Sequence, residues 1–240
     1  MQEAKKLKVL TQNMLTTRPL SLKKRVKHFL KDIEIHDFDL IFLQEAIFLS
    51  HFEKLREKYH LSYVKGRFGW PKGGLIVASK EKPKKIQFHK FIHQGVWISW
   101  QLFERVIEKG VLELNFENFN VFNTHLVSTH WSKNHNKKWF VHSIQTVDLL
   151  NILEERINGR SHILAGDINC NPDIVPNSYQ RLQKALDDKT NDIIRKTHTE
   201  VDFILSNLEK EGSSKILTCG SFISDHQGIY ATLQVLEETF

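Results

Sequence analysis

The sequence predicts an α/β protein of layered sheets folded as one unit. Short apolar runs that end in polar residues recur along all 240 residues, as strands running out into loops do. Between them lie segments with apolar residues at helical spacing. No Pro/Gly/Ser-rich break and no internal repeat divides the chain, so residues 1–240 are expected to form a single domain.

The elements follow in order. Lys8 to Asn13 reads as a strand. Ser21 is placed as an N-cap, with Leu22, Val26, Phe29, Leu30 and Ile33 on one face of the helix that follows. Asp39 to Leu43 is a short apolar run ending at Gln44-Glu45. Ser50 to Tyr59 is expected to be helical. Gly73-Gly74 opens a strand from Leu75 to Ala78. Val96 to Phe103, Gly110 to Phe116 and Asn118 to Thr124 read as further strands. From Trp139 to Ile157, apolar residues at Phe140, Ile144, Val147, Leu150, Leu153 and Ile157 predict a helix stopped by Gly159. His162 to Ala165 is a strand, Tyr179 to Leu186 a short helix, and Val201 to Leu205 and Gln227 to Leu233 close the chain.

Composition narrows the class. Hydrophobic residues make up 40% and charged residues 26%, ordinary values for a globule with a sizeable core. The net charge of +6 suits a phosphate-bearing partner, although a lysine-rich solvated surface would give the same number. Two cysteines, Cys170 and Cys219, make no disulfide framework, which points to a reducing, cytoplasmic compartment. No secretory signal is visible in Met1 to Lys8, but a secreted form with its leader removed would read the same. No apolar run approaches the ~20 residues that span a bilayer.

Polar residues stand where the strands end: Asn13, Glu45, His125, Asp167, Asn169, Asp202, Asp225 and His226. A rigid sheet handing over to loops is the usual seat of chemistry. Singly, each has an ordinary explanation as a cap, a turn residue or a surface histidine. Asn13 would serve as a buried amide capping a loop, and Asp202 as the partner of a lysine. Eight in one topological position make the stronger pattern.

The wording and order of these clusters resemble the endonuclease/exonuclease/phosphatase superfamily. The motifs are TQN (11–13), LQEA (43–46), GGLIVAS (73–79), NTHL (123–126), GDINCNPD (166–173), VDFIL (201–205) and SDHQGI (224–229), spanning nearly the whole chain. KGVLEL (109–114), Gln145 and Pro172 look most like the branch containing neutral sphingomyelinases. The resemblance implies a four-layered α/β sandwich, two mixed β-sheets packed face to face with helices on the outside and a site at one end.

It also implies roles. Glu45 would be the main ligand of a divalent cation, Mg²⁺ with Mn²⁺ able to substitute, assisted by Asn13 and with Asp225 close by. Oxygen ligands with few carboxylates suit that ion. Asp167 would orient or deprotonate the attacking water, and Asn169 would hold phosphate oxygens. His226 would contact the scissile phosphate with Asp202 behind it, and His125 would be the second imidazole. The implied activity is metal-dependent phosphodiester hydrolysis by a monomer, on a lipid headgroup with peripheral membrane contact. Nuclease action is the alternative, and a non-catalytic binding module of the same fold is a third reading.

Substrate choice is expected in two segments. Leu126 to Lys138 is basic, holds Trp131 and would project as a loop. Phe88 to Phe103 carries Trp97 and Trp100, whose opposite parity puts them on opposite faces of one strand. His130 and His135 are expected in the loop rather than in a metal cluster, and Cys170 is expected to be a packing thiol.

Overall fold

In the computed structural model, the residues described are 5–16, 22–94, 106–128, 135–169, 176–190, 192–196, 200–217, 226 and 228–235. Twelve strands and three helices occupy most of them. The strands are β1 (Lys5–Asn13), β2 (Leu40–Gln44), β3 (His60–Ser62), β4 (Ile76–Ser79), β5 (Lys85–Lys90), β6 (Gly110–Asn115), β7 (Phe119–His125), β8 (Ser161–Asp167), β9 (Asp192–Lys196), β10 (Glu200–Ser206), β11 (Glu209–Leu217) and β12 (Gly228–Val235). The helices are α1 (Leu22–His36), α2 (His135–Ile157) and α3 (Pro176–Ala185).

They build two six-stranded mixed sheets, β11-β12-β1-β2-β4-β3 and β5-β6-β7-β8-β10-β9. Each has one parallel pair at its centre, β1 with β2 and β7 with β8. Alternation along the strands assigns the layers. Val9, Leu40, Phe42 and Val77 of the first sheet share an apolar cluster with Leu112, Val121, Ile163, Ala165 and Ile204 of the second. Their intervening neighbours face outward. Leu10, Ile41, Leu43 and Ile76 pack under Val26, Phe29 and Ile33 of α1. Phe122, Leu164, Phe203 and Leu205 pack under Leu149, Leu150 and Leu153 of α2. The result is the four-layered sandwich expected, because period-2 strands bury one face against the partner sheet and the other against an amphipathic helix.

Several expectations change in detail. Residues 50–59 are not one helix. They form two 3-10 turns, Leu49–His51 and Glu53–Glu57, hinged at Phe52 with φ −108° and ψ 5°. Phe52 and Leu55 are drawn into the core under α1, which breaks the helical run. α2 starts at His135, so the tail of the 126–138 segment is helical rather than loop. Strands β3, β5, β9 and β11 had no clear signal: β5, for example, is an edge strand of half-buried and exposed residues. The expected strand at 96–103, Ser21, Trp97, Trp100, Trp131, His130 and both cysteines lie outside the described residues. Among the described residues no helix is long and apolar enough to cross a membrane.

Candidate active site

The inner face that is apolar at mid-sandwich turns polar toward one end. Val9-Thr11-Asn13, Phe42-Gln44, Val121-Asn123-His125 and Ala165-Asp167 all carry the alternating inward positions to the carboxyl ends of the two parallel pairs. β10 runs the opposite way, so its inward Asp202 reaches the same end and lies directly across from Asp167. His125 is Asp167's partner on the other side. One register thus sets a buried carboxylate between an imidazole and a second carboxylate.

Two glycines let the backbone reach this arrangement. A Cβ on Gly166, whose φ is 149°, would lie 2.0 Å from Thr124 O, so only glycine lets β7 and β8 approach where the site begins. Gly74, with φ 65°, lies against the Glu45 backbone and accepts the Ala46 N–H at 2.8 Å. Leu15, Glu45 and Asn169 leave their strands in left-handed backbone with φ of 46°, 51° and 48°. Three strained exits around one rim are the kind of backbone that persists at functional sites. Each interrupts strand alternation, and Glu45 and Asn169 are brought to the rim.

The two sheets are tied together here by side chains. Asn13 Nδ2 donates to Glu45 Oε1 at 3.2 Å and to Asp167 Oδ2 at 3.1 Å, while its Oδ1 accepts the Leu15 N–H. It therefore spaces two carboxylates from opposite sheets. Asn169 N–H donates to Asp167 Oδ1 at 2.8 Å, and Asn169 Nδ2 to Leu126 O at 3.0 Å. His226 Nδ1 lies 2.9 Å from Asp202 Oδ2, a charge-assisted hydrogen bond between buried groups. The same nitrogen is 3.8 Å from Asp167 Oδ2, and His125 Nε2 is 3.6 Å from that oxygen. Both are electrostatic neighbours beyond hydrogen-bond reach. Among the predicted site residues, two buried side-chain atoms have no partner among the described residues, His125 Nδ1 and Asp202 Oδ1.

The electrostatics follow from burial. Burial pushes the Asp167 carboxyl up to about 7. The His226 charge opposes that rise, the Asp202 charge adds to it, and the N–H donors of Asn13 and Asn169 pull it down. Burial holds the His125 imidazole well below 6.5, and the positive charges of Lys109 and His226 push it the same way. His125 is therefore neutral at neutral pH.

Which of these groups suit a cation can be tested on the same contacts. Asp167, Asp202 and His226 bring one ligand atom each within 4.8 Å of one another. Yet His226 Nδ1 is already engaged by Asp202, and metal there would break that bond, so we read His226 and Asp202 as a hydrogen-bonded pair with Asp167 as its charged neighbour. Glu45 is only half-buried and is held by Asn13 at the rim, offering the hard oxygens that Mg²⁺ takes. Asn13 Oδ1 keeps one lone pair beyond the Leu15 N–H. Asp225 lies outside the described residues.

Other residues that hold the site together were not assigned site roles from the sequence. Gln12 Nε2 donates to His226 O at 3.1 Å, anchoring the His226 backbone. Buried Arg25 on α1 donates to Met14 O and Leu15 O, holding the exit of β1. Gln44 Nε2 donates to Asn123 Oδ1 across the sandwich at 2.8 Å. Extending the strand alternation through Gln44 and Asn123 would have marked them as inward polar residues.

No family model matches the sequence, and no curated protein matches it. Solved structures do. Truncated Caenorhabditis elegans TDP2 has a TM-score of 0.66 at 19% identity, over 96% of this chain and 98% of that one. Sphingomyelinase C from Streptomyces griseocarneus gives 0.65 at 16%, over 95% and 99%. An endonuclease/exonuclease/phosphatase family protein from Leptotrichia buccalis gives 0.66 at 17%, over 95% and 99%. The chain thus has the endonuclease/exonuclease/phosphatase fold.

Proposed function

We propose that this chain is a metal-dependent phosphoester hydrolase, one catalytic unit cutting phosphodiesters, with sphingomyelinase-like lipid headgroups as preferred substrates. The observation that carries the reading is Asp167: a buried carboxylate with His125 and Asp202 as register partners, Asn13 reaching it from the other sheet and His226 clamped to Asp202 beside it. Structural likeness to a sphingomyelinase C supports the substrate class.

Each group has a task its surroundings suit. Asp167, with its carboxyl raised to about 7, is matched to take a proton from water near neutral pH. The water oxygen attacks phosphorus, its proton passes to Asp167, and the bond to the leaving oxygen breaks. Asp202 accepts the His226 Nδ1 hydrogen, favours the imidazolium and leaves Nε2 as the donor toward the phosphate or the leaving oxygen. His125, held neutral, offers one N–H to a phosphate oxygen without adding charge. Asn169, whose backbone N–H donates to Asp167 Oδ1, would hold a phosphate oxygen. Glu45, with Asn13 and Asp225, would hold Mg²⁺ or Mn²⁺, which when bound supplies neutralisation of the phosphate charge.

The test is a substrate panel of sphingomyelin, lysophospholipid, plasmid DNA, RNA and bis-p-nitrophenyl phosphate, each with Mg²⁺ and with EDTA. Lipid cleavage that needs the metal and disappears in Glu45→Gln, with folding intact, is expected. Cleavage of nucleic acid alone would move the substrate to the nuclease alternative. No cleavage at all would leave the binding-module reading.

A further inference from the structure

Residues 64–72 form a small hairpin of their own. Gly66 N–H donates to Trp70 O at 2.7 Å, Lys72 N–H to Val64 O at 2.8 Å, and Lys65 pairs with Pro71. Its tip, Arg67-Phe68-Gly69, is exposed throughout. Phe68 stands 78% exposed, with φ 60° and ψ 15°, a left-handed conformation that a bulky residue rarely adopts. A strained backbone that holds an aromatic ring out into water is an outlier that asks for a function.

The ring is not isolated. Phe68 leans on Trp70 at 5.5 Å, and Trp70 meets Phe48 at 6.3 Å. Phe48 is itself 40% exposed and lies three residues beyond Glu45. On its far side Phe48 contacts His51 at 6.1 Å. His51 lines a groove of about 480 Å³ between α1 and the 3-10 turns, edged by Lys23, Lys27, Lys31 and Lys54 against one carboxylate, Glu34. The first three recur every four residues, so they form one stripe of α1. Among the described residues none of the four ammonium groups makes an ion pair. Aromatic tip, rim and cationic groove are thus continuous from the candidate active site outward.

We propose that this surface docks the protein on a membrane bearing anionic headgroups. Phe68 and Phe48 enter the interfacial region, where exposed aromatic rings gain by burial. The lysine groove takes headgroup phosphates and carboxylates, the charge complement of an anionic leaflet. Stacking on nucleic-acid bases is the competing chemistry. The rings argue against it: Trp70 meets its neighbours at 78° and 51°, which leaves no run of parallel faces for successive bases. Docking here brings lipid phosphoesters to Glu45, so the proposal deepens the reading above. It is measured without turnover and stands or falls separately.

The experiment is co-sedimentation of the full chain with vesicles of phosphatidylcholine, with and without phosphatidylserine, at low and at roughly 0.5 M salt. The intact protein should bind only the anionic vesicles. Phe68→Gly, which accepts the left-handed backbone at no cost, should weaken binding ~10-fold or more at both salts. The triple variant Lys27→Gln, Lys31→Gln, Lys54→Gln should weaken it ~100-fold at low salt, at about fivefold per lysine. Both should hydrolyse soluble bis-p-nitrophenyl phosphate as the parent does. Variants that bind as tightly as the parent, or a parent that ignores anionic vesicles, would overturn the proposal. So would a single-stranded oligonucleotide that binds in place of vesicles and is lost in the same variants. Vesicle binding without any phosphodiester hydrolysis would uphold docking and sink only the catalytic reading.

Discussion

Replacing Asp202 by Asn isolates the charge behind His226. The side chain keeps its size in a buried position, so packing changes little. What is lost is the negative partner 2.9 Å from His226 Nδ1. Hydrogen bonds to a charged group contribute roughly 1.5–3 kcal/mol. Taking ~2 kcal/mol as the loss at the transition state, kcat should fall ~30-fold, since 1.36 kcal/mol is tenfold in rate. A second effect comes through Asp167. Burial is the main reason its carboxyl sits at about 7, and the Asp202 charge adds to the rise. Removing that charge lowers the Asp167 value, so the acidic limb of the rate profile should move to lower pH. The assay is kcat for bis-p-nitrophenyl phosphate with Mg²⁺ from about pH 5 to about pH 9, with circular dichroism to verify folding. A loss under about threefold with the acidic limb unmoved would refute the assignment of His226 and Asp202 as a working pair.

Three further outcomes test the frame around the site. Gly166→Ala would put a Cβ 2.0 Å from Thr124 O, so it should destabilise by more than about 3 kcal/mol, read by denaturant midpoint; a neutral effect would mean the β7–β8 approach is not as close as described. Asn123→Ala removes the donor to Leu43 O and Ile76 O and the acceptor of Gln44 Nε2; the unmet groups should cost ~2–4 kcal/mol in thermal melting, and a cost below about 1 kcal/mol would discount this bridge. Glu113 gives a pH dependence. Burial alone would raise its carboxyl, but hydrogen bonds from His89, Asn115 and Arg156 outweigh it and hold the group at about 2. The folded value lies below the unfolded one of 4.5, so this contribution is complete above about pH 4.5 and is lost as pH falls toward about 2. Discounted for the partly exposed His89 and Arg156 that hold it, the contribution is about 2 kcal/mol. Glu113→Gln should therefore flatten the acid limb of stability, and an unchanged acid limb would discount the Glu113 cluster.

Much of the site was legible because strands are simple periodic objects. Once Val9, Val121 and Ala165 are set inward, alternation sends Asn13, His125 and Asp167 the same way, and the end of each apolar run marks where they emerge. The α/β class was legible from the alternation of strand and helix patterns, while the four-layer order came from the family resemblance. Local pattern failed at 50–59, where the demand of the core for Phe52 and Leu55 overrode helical spacing, and at edge strands such as β5, which bury too little to show a pattern.

The sequence by itself determined the chemical inventory and which end of each strand carries it, since both depend on local order and a two-residue repeat. Only the tertiary structure decided the pairings. Asn13 meets an oxygen of Asp167, 154 positions away, and Gln12 holds the backbone of His226, 214 positions away. Such contacts depend on how two sheets stack and twist, which no window of sequence contains. The same holds for the exposed row of Phe68, Trp70, Phe48 and the α1 lysines. Their residues look unremarkable one at a time and become a surface only when the chain brings them side by side.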